Sequence, residues 1–229
     1  MNNASSQTSS KMVSKSHFLG IFSIVFLPML LAAIDQTLLS TATPAIAKEL
    51  GGIQSASWIM IGYLLATAAS VPIYGWLGDR YNRRNMLIVA LVIFSIGSLT
   101  SALAHSMPML IIGRVIQGLG GGGLMSLSQA LIGELIPPRQ RARFQGYFAS
   151  LFAVASIGGP VIGGVVVTYF SWKWLFWINI PLAIFAGYRL LALAASPSSL
   201  VKRSVDWVGL ILFPIIMTTF IFWLTSGGV

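Results

Sequence analysis

Asp35 and Arg114 are ionisable side chains set deep inside long apolar runs, over 18–44 and 107–130 respectively. A charge at the centre of a membrane helix costs about 2.5–3.5 kcal/mol, so neither is suited to face lipid. Asp35 lies about ten residues from the outer end of its run and Arg114 about seven from its own. At 1.5 Å per residue these depths are ~15 Å and ~10 Å, close enough for opposite charges to meet. A cation beside a carboxyl favours its charged form and desolvation its neutral form, and an ionisable residue within the membrane reads by default as part of a functional site. The plainer alternative is an ion pair that only fixes helix packing.

The neighbours of both residues are polar or small. At ~100° per residue Asp35, Thr43, Gln36 and Ser40 share one arc of helix 1. Arg114, Gln117, Gly118, Gly121, Met125 and Ser128 share a face of helix 4. Gln36, Gln117 and Met125 are therefore expected to line a cavity that water or a ligand could enter, or to pack against other helices, with aromatic side chains such as Trp58, Tyr63 and Trp174 able to add apolar surface. Other chemistry is poorly represented. The GxGxxG match over 118–123 follows no strand, and there is no GxxxxGK[ST] loop or GxSxG elbow. His17 and His105 are isolated, and with no cysteine no metal site is expected. No enzyme, no bound cofactor and no nucleic-acid partner are expected.

These residues need membrane helices to position them. The 229 residues are 56% hydrophobic and 8% charged, with mean hydropathy +0.84. A soluble domain carries about 25% charged residues, and a disordered chain is far less apolar. Apolar runs at 18–44, 56–77, 86–104, 107–130, 146–170, 174–195 and 207–225 make seven expected spans in an all-α helical bundle lying in a lipid bilayer. The expected parts are a polar tail over 1–17, a six-helix bundle over 18–195, a linker over 196–206 and a seventh helix with its end over 207–229. Eleven basic residues, among them Arg80, Arg83, Arg84, Arg139, Arg141 and Arg143, fall on one side, against Lys48 and Lys173 on the other. The imbalance places the N-terminus and the connections 78–85, 134–143 and 196–206 in the cytoplasm of a cell membrane.

On helix 5, Ala155, Gly159 and Gly163 recur every four residues beside Gly158, Pro160 and Gly164. Small residues at that spacing let two helices approach closely, and Pro160 removes a helical hydrogen bond. Tight packing and a hinge at Gly159, Pro160, Gly163 and Gly164 are equally compatible with the pattern.

GWLGDRYNRRNML over 75–87 resembles the cytoplasmic loop signature of the major facilitator superfamily, G-x-L-a-D-R-x-G-R-[RK]-x-x-L. LIIGRVIQGLGGG over 110–122 and ASIGGPVIGG over 155–164 are similar to its helix 4 and helix 5 motifs. IDQTLLSTATPAI around Asp35 and WKWLFWINIP over 172–181 resemble the fourteen-helix multidrug:proton antiporters. Asn82 replaces the loop glycine, and Asn tolerates left-handed backbone better than most residues.

The resemblance implies a proton-coupled efflux antiporter for amphipathic small molecules, driven by the proton gradient. Asp35 and Arg114 would couple the proton. Gln36, Gln117, Met125 and Asn179 would line the substrate path, and Gly75, Asp79, Arg80, Arg83 and Arg84 would form a loop that controls conformation. It also implies a second half, so the chain is expected to be an N-terminal fragment or to need a second chain. A non-transporting half-bundle is the alternative. A seven-helix receptor is disfavoured by the inside N-terminus and the absence of Lys from helix 7.

Overall fold

A computed structural model describes residues 15–193 and 207–225. The linker assigned to 196–206, most of the polar tail and the basic residues Lys11, Lys202 and Arg203 lie outside the described residues. Helices follow in the order α1 (Lys15–Leu50), α2 (Ser57–Arg80), α3 (Arg83–Ala102), α4 (Met107–Leu135), α5 (Pro138–Tyr169), α6 (Trp174–Trp177), α7 (Asn179–Leu191) and α8 (Trp207–Thr225). Among the described residues there is no strand. Among the described residues six spans are long and apolar enough to cross a membrane, the sixth built from α6 and α7 together. The 19-residue α8 carries no charged side chain and leans on α2, with the Phe222 and Trp58 rings 6.0 Å apart.

Local sequence explains where the helices stop. Gly51 and Gly52 take φ of 72° and 82°, a left-handed turn that residues with a Cβ rarely adopt, and this reverses the chain into α2. Asn82 does not use its left-handed tolerance. It is extended at φ −65° and caps α3, its side chain accepting from the Arg84 amide at 2.9 Å. The fifth helix begins at Pro138, well before the apolar run at 146, because Pro at the first position is suited to helix entry. The connection expected over 134–143 is accordingly mostly helix. Pro160 sits within α5 without ending it. The sixth span is broken at Ile178, where Pro181 has no amide to offer the Trp177 carbonyl.

α4 is the centre of the bundle, packed against α1, α2 and α3. Its glycines make this possible. A Cβ on Gly120 would strike the backbone of Ala90 and Phe94 on α3, and one on Gly118 the Tyr63 carbonyl on α2. Gly97 of α3 is as tightly set against the backbone of Gln117. α1 packs on the other side against α5, where Gly159 and Gly163 meet Thr37, Leu38 and Thr41. Gly158 and Gly164, one position along from each, meet nothing within 4 Å. α6 and α7 close the bundle against α1 and α3.

Helix contact and helix freedom are therefore separable by alanine. Gly97→Ala and Gly120→Ala are expected to lower stability by about 1–3 kcal/mol or more through overpacking. Gly158→Ala is expected to be neutral or stabilising by up to about 1 kcal/mol, since Ala is the better helix former. Thermal unfolding of the detergent-solubilised chain measures both.

Candidate functional site

The two intramembrane charges meet. Arg114 Nη1 donates to Asp35 Oδ2 at 2.6 Å, and the side chains are 1% and 0% exposed. Such a pair is tolerable only when its remaining polar atoms are also satisfied. Arg114 Nη1 also donates to Gln117 Oε1 at 2.7 Å, and Arg114 Nε reaches the Ile59 carbonyl at 3.4 Å. The Tyr63 ring lies under the guanidinium, 4.3 Å from its carbon, and offers its negative face to the cation. On the carboxylate, Oδ1 accepts from Gln117 Nε2 and from Asn179 Nδ2, both at 2.7 Å. Asn179 Nδ2 also donates to Ser98 Oγ at 2.9 Å, and Ser98 donates to the Phe176 carbonyl at 3.0 Å, beside the break in the sixth span.

One closed network thus draws on α1, α2, α3, α4, α6 and α7. Gln117 and Asn179 stand inside it, fully buried. Gln36 and Met125 are half-buried, with Met125 packed near Ala33, Leu151 and Ala155. Trp58 and Trp174 are exposed at the surface of the bundle. The polar arc of α1 divides. Asp35 is sealed, whereas Ser40 and Thr43 line an open groove of about 1230 Å³ with Pro44, Lys48, Gln54 and Met60. Ser40 is five residues from Asp35, about 7.5 Å along the helix axis.

Ser98 was not evident beforehand as a site residue. The signal was present in Ser95, Ser98 and Ser101, one serine every three residues along an otherwise apolar helix.

The second charged cluster lies at the Arg-rich end. Arg83 Nη2 donates to Asp79 Oδ1 at 2.7 Å, and Arg83 Nη1 to Glu134 Oε2 at 3.4 Å and the Ala130 carbonyl at 3.2 Å. The ends of α2, α3 and α4 are joined there by one guanidinium. Arg80 sits over the Trp76 ring, 5.8 Å from its centre. Arg84 leaves the cluster, donating to the carbonyls of Leu190 and Leu191 at 2.8 and 2.9 Å. Gly75 is exposed with open space around it. The close approach falls instead at Gly78, where a Cβ would strike Leu127 of α4.

Comparison with known proteins places the whole bundle in a family. The family model described as Major Facilitator Superfamily matches residues 25–228. Multidrug resistance protein 3 of Bacillus subtilis is 33% identical over 97% of this chain and 42% of its own length. Efflux pump FUS6 of Gibberella moniliformis is 36% identical over 91% of this chain and 38% of its own. The chain thus spans about two fifths of these relatives. A crystal structure of a D-xylose-proton symporter superposes with a TM-score of 0.69 at 19% identity, covering 92% of this chain and 55% of that one. That likeness is one of fold.

The two ion pairs differ in what they contribute to stability. Asp35→Ala and Arg114→Ala are each expected to cost about 3–5 kcal/mol, because each leaves a buried charge unpaired. The double variant should cost clearly less than their sum. Asp79→Ala, which removes an exposed partner, should cost about 0–1 kcal/mol. A double-mutant cycle read by thermal unfolding separates the two cases, and strict additivity of Asp35→Ala and Arg114→Ala would refute the coupling.

Proposed function

The chain belongs to the Major Facilitator Superfamily, and we propose that it forms the proton-coupling part of a multidrug efflux antiporter. The observation that carries the proposal is the sealed Asp35–Arg114 pair, whose carboxylate is held by the amides of Gln117 on α4 and Asn179 on α7, lying one and a half turns below an open groove. The relatives named as an efflux pump and a multidrug resistance protein support the substrate class, amphipathic small molecules.

Asp35 takes up a proton arriving through the groove and returns it on the opposite side. Protonation removes the negative charge facing Arg114, whose guanidinium is left with neutral partners alone: the protonated Asp35 at Oδ2, Gln117 Oε1, the Ile59 carbonyl and the Tyr63 ring. An uncompensated cation in low dielectric is costly, so the arrangement of α1 against α4 is no longer the favoured one. Substrate and proton are exchanged because each acts on this one equilibrium. Gln36 and Met125 contribute to the substrate path, which is completed by a second half, in the same polypeptide or in a partner chain. The Asp79–Arg83–Glu134 cluster acts as the latch that joins α2, α3 and α4 in one of the two states. The N-terminus and the Arg-rich connections face the cytoplasm, following the charge imbalance.

Transport in everted membrane vesicles tests the central role. Imposing a proton gradient should drive uptake of a cationic amphipathic dye, and Asp35→Asn should abolish it while the protein still inserts. Undiminished gradient-driven uptake by Asp35→Asn would leave the pair as a structural bridge. Reading the gene past codon 229 distinguishes a second half in the same frame from one supplied by another chain. Orientation has its own test. The chain has no cysteine, so Asn82→Cys in intact cells should resist an impermeant maleimide and react after permeabilisation. Labelling from outside would reverse the topology.

A further inference from the structure

Asn179 Oδ1 is a buried carbonyl oxygen with no hydrogen-bond partner, on a side chain that otherwise holds the carboxylate of Asp35. An orphaned acceptor in a network this well satisfied costs free energy comparable to a lost hydrogen bond. Its position beside a titratable group gives it a use. An ionised carboxylate only accepts, and Asp35 does so from Arg114 at Oδ2 and from Gln117 and Asn179 at Oδ1. Once Oδ1 carries a proton it becomes a donor, and it would then face two N–H groups with no acceptor between them.

Gln117 is not free to turn and relieve this, because its Oε1 is engaged by Arg114 Nη1 at 2.7 Å. Rotation would set its amide protons against the guanidinium. Asn179 is under no such restraint. We infer that the Asn179 amide is a two-position switch, turning about its terminal torsion so that Nδ2 faces the ionised Asp35 and Oδ1 faces the protonated one. This inference rests on the reading of Asp35 as the proton carrier and makes Asn179 a positioning residue for that proton.

The exchange replaces three hydrogen bonds with two and removes the clash of donors at the carboxyl. The proton arrives from water at Asp35 Oδ1, while Oδ2 keeps its bond from Arg114. The bonds from Asn179 Nδ2 to Asp35 and Ser98 break, and one from the Asp35 hydroxyl to Asn179 Oδ1 forms. The Ser98 hydroxyl has one proton, now given to the Phe176 carbonyl, and it swings to donate to Asn179 Oδ1 at the 2.9 Å separation already present. One edge of the amide is without a partner in either position, and the Phe176 carbonyl gives up its bond from Ser98; in return rotation removes the donor–donor clash at Asp35 Oδ1. Among the described residues, the charged and titratable groups facing Asp35 are Arg114 from α4 and Tyr63 from α2. α3, α6 and α7 present Ser98, Phe176 and Asn179, all neutral. The buried side of α5 is Phe144, Phe148, Leu151, Ala155, Gly159 and Gly163. No other ion competes for the role.

Infrared difference spectra of the chain in lipid nanodiscs, with the asparagine side-chain carbonyls labelled with carbon-13, test the switch. The sequence has five asparagines, and subtraction of Asn179→Leu isolates one band; Asn179→Ser serves where the leucine variant does not fold. On acidification a protonated-carboxyl band, absent from Asp35→Asn, should appear. With the same midpoint, the Asn179 carbonyl band should move to lower frequency as it gains a hydrogen bond. A carboxyl band that appears while the Asn179 band stays fixed would make Asn179 a static donor and overturn the inference, leaving Asp35 as proton carrier. If no carboxyl band assignable to Asp35 appears at any pH, the switch and the proton-carrier reading fail together.

Discussion

A carboxylate and a guanidinium held 2.6 Å apart and closed off from solvent lose hydration free energy of several kcal/mol each, recovered only when their other lone pairs and N–H groups find fixed partners. Most of the helix packing can be derived from that requirement. Arg114 needs a ring beneath it, which places α2 against α4 at Tyr63, and an amide beside it, which Gln117 supplies from the next turn of α4 itself. Asp35 needs two amide donors, which brings α7 to α1. Ser98 reaches those amides only because Gly97, its neighbour, lets α3 lie on the backbone of α4. The absence of side chains at the helix contacts is thus what permits the presence of polar side chains between them.

The two charged clusters answer opposite physical demands. In the sealed one, losing a single partner leaves a charge stranded in low dielectric, so its geometry has little tolerance. In the exposed one, Asp79 has 55% of its side chain open to solvent and water can replace any lost contact. Asp79 also stands at the C-terminal end of α2, and Arg83 at the N-terminal end of α3, each unfavourable against its own helix dipole and compensated by the other. A cluster of that kind opens and closes at low cost. The sealed pair suits sensing a proton, and the exposed cluster suits following a change of shape.

What the sequence made legible divides along similar lines. Asp35 and Arg114 stood out because charge in an apolar run is costly wherever the chain folds, and the two were found joined. Six of the spans followed from hydropathy. Helix ends were harder. The start of α5 at Pro138 carries Arg139, Arg141 and Arg143, so a hydropathy reading places it outside the span. Pro181 was visible, yet the break it makes at Ile178 depends on which carbonyl loses its amide. Asn179 entered only through its motif. Gly78 and Glu134 were passed over because close approach to Leu127 and proximity to Arg83 are products of tertiary contact between α2, α3 and α4. No local pattern encodes them.

Arg84 adds something of a different kind. Its fork binds the last carbonyls of α7, as that of Arg141 binds the carbonyls of Gly133 and Ile136 at the end of α4, at 2.6 and 3.0 Å. Both arginines belong to the excess of positive charge on one side of the spans, yet their donors are turned inward onto helix ends. The charge count needs only a cation, whereas fastening a helix end uses the fork, so these are two separate properties of one side chain. A lysine at either position would satisfy the first, since insertion reads charge alone. It would serve the second poorly, because an ammonium is a point charge without a planar fork. The choice of arginine over lysine at these positions is then set by the folded bundle, not by the charge count along the sequence.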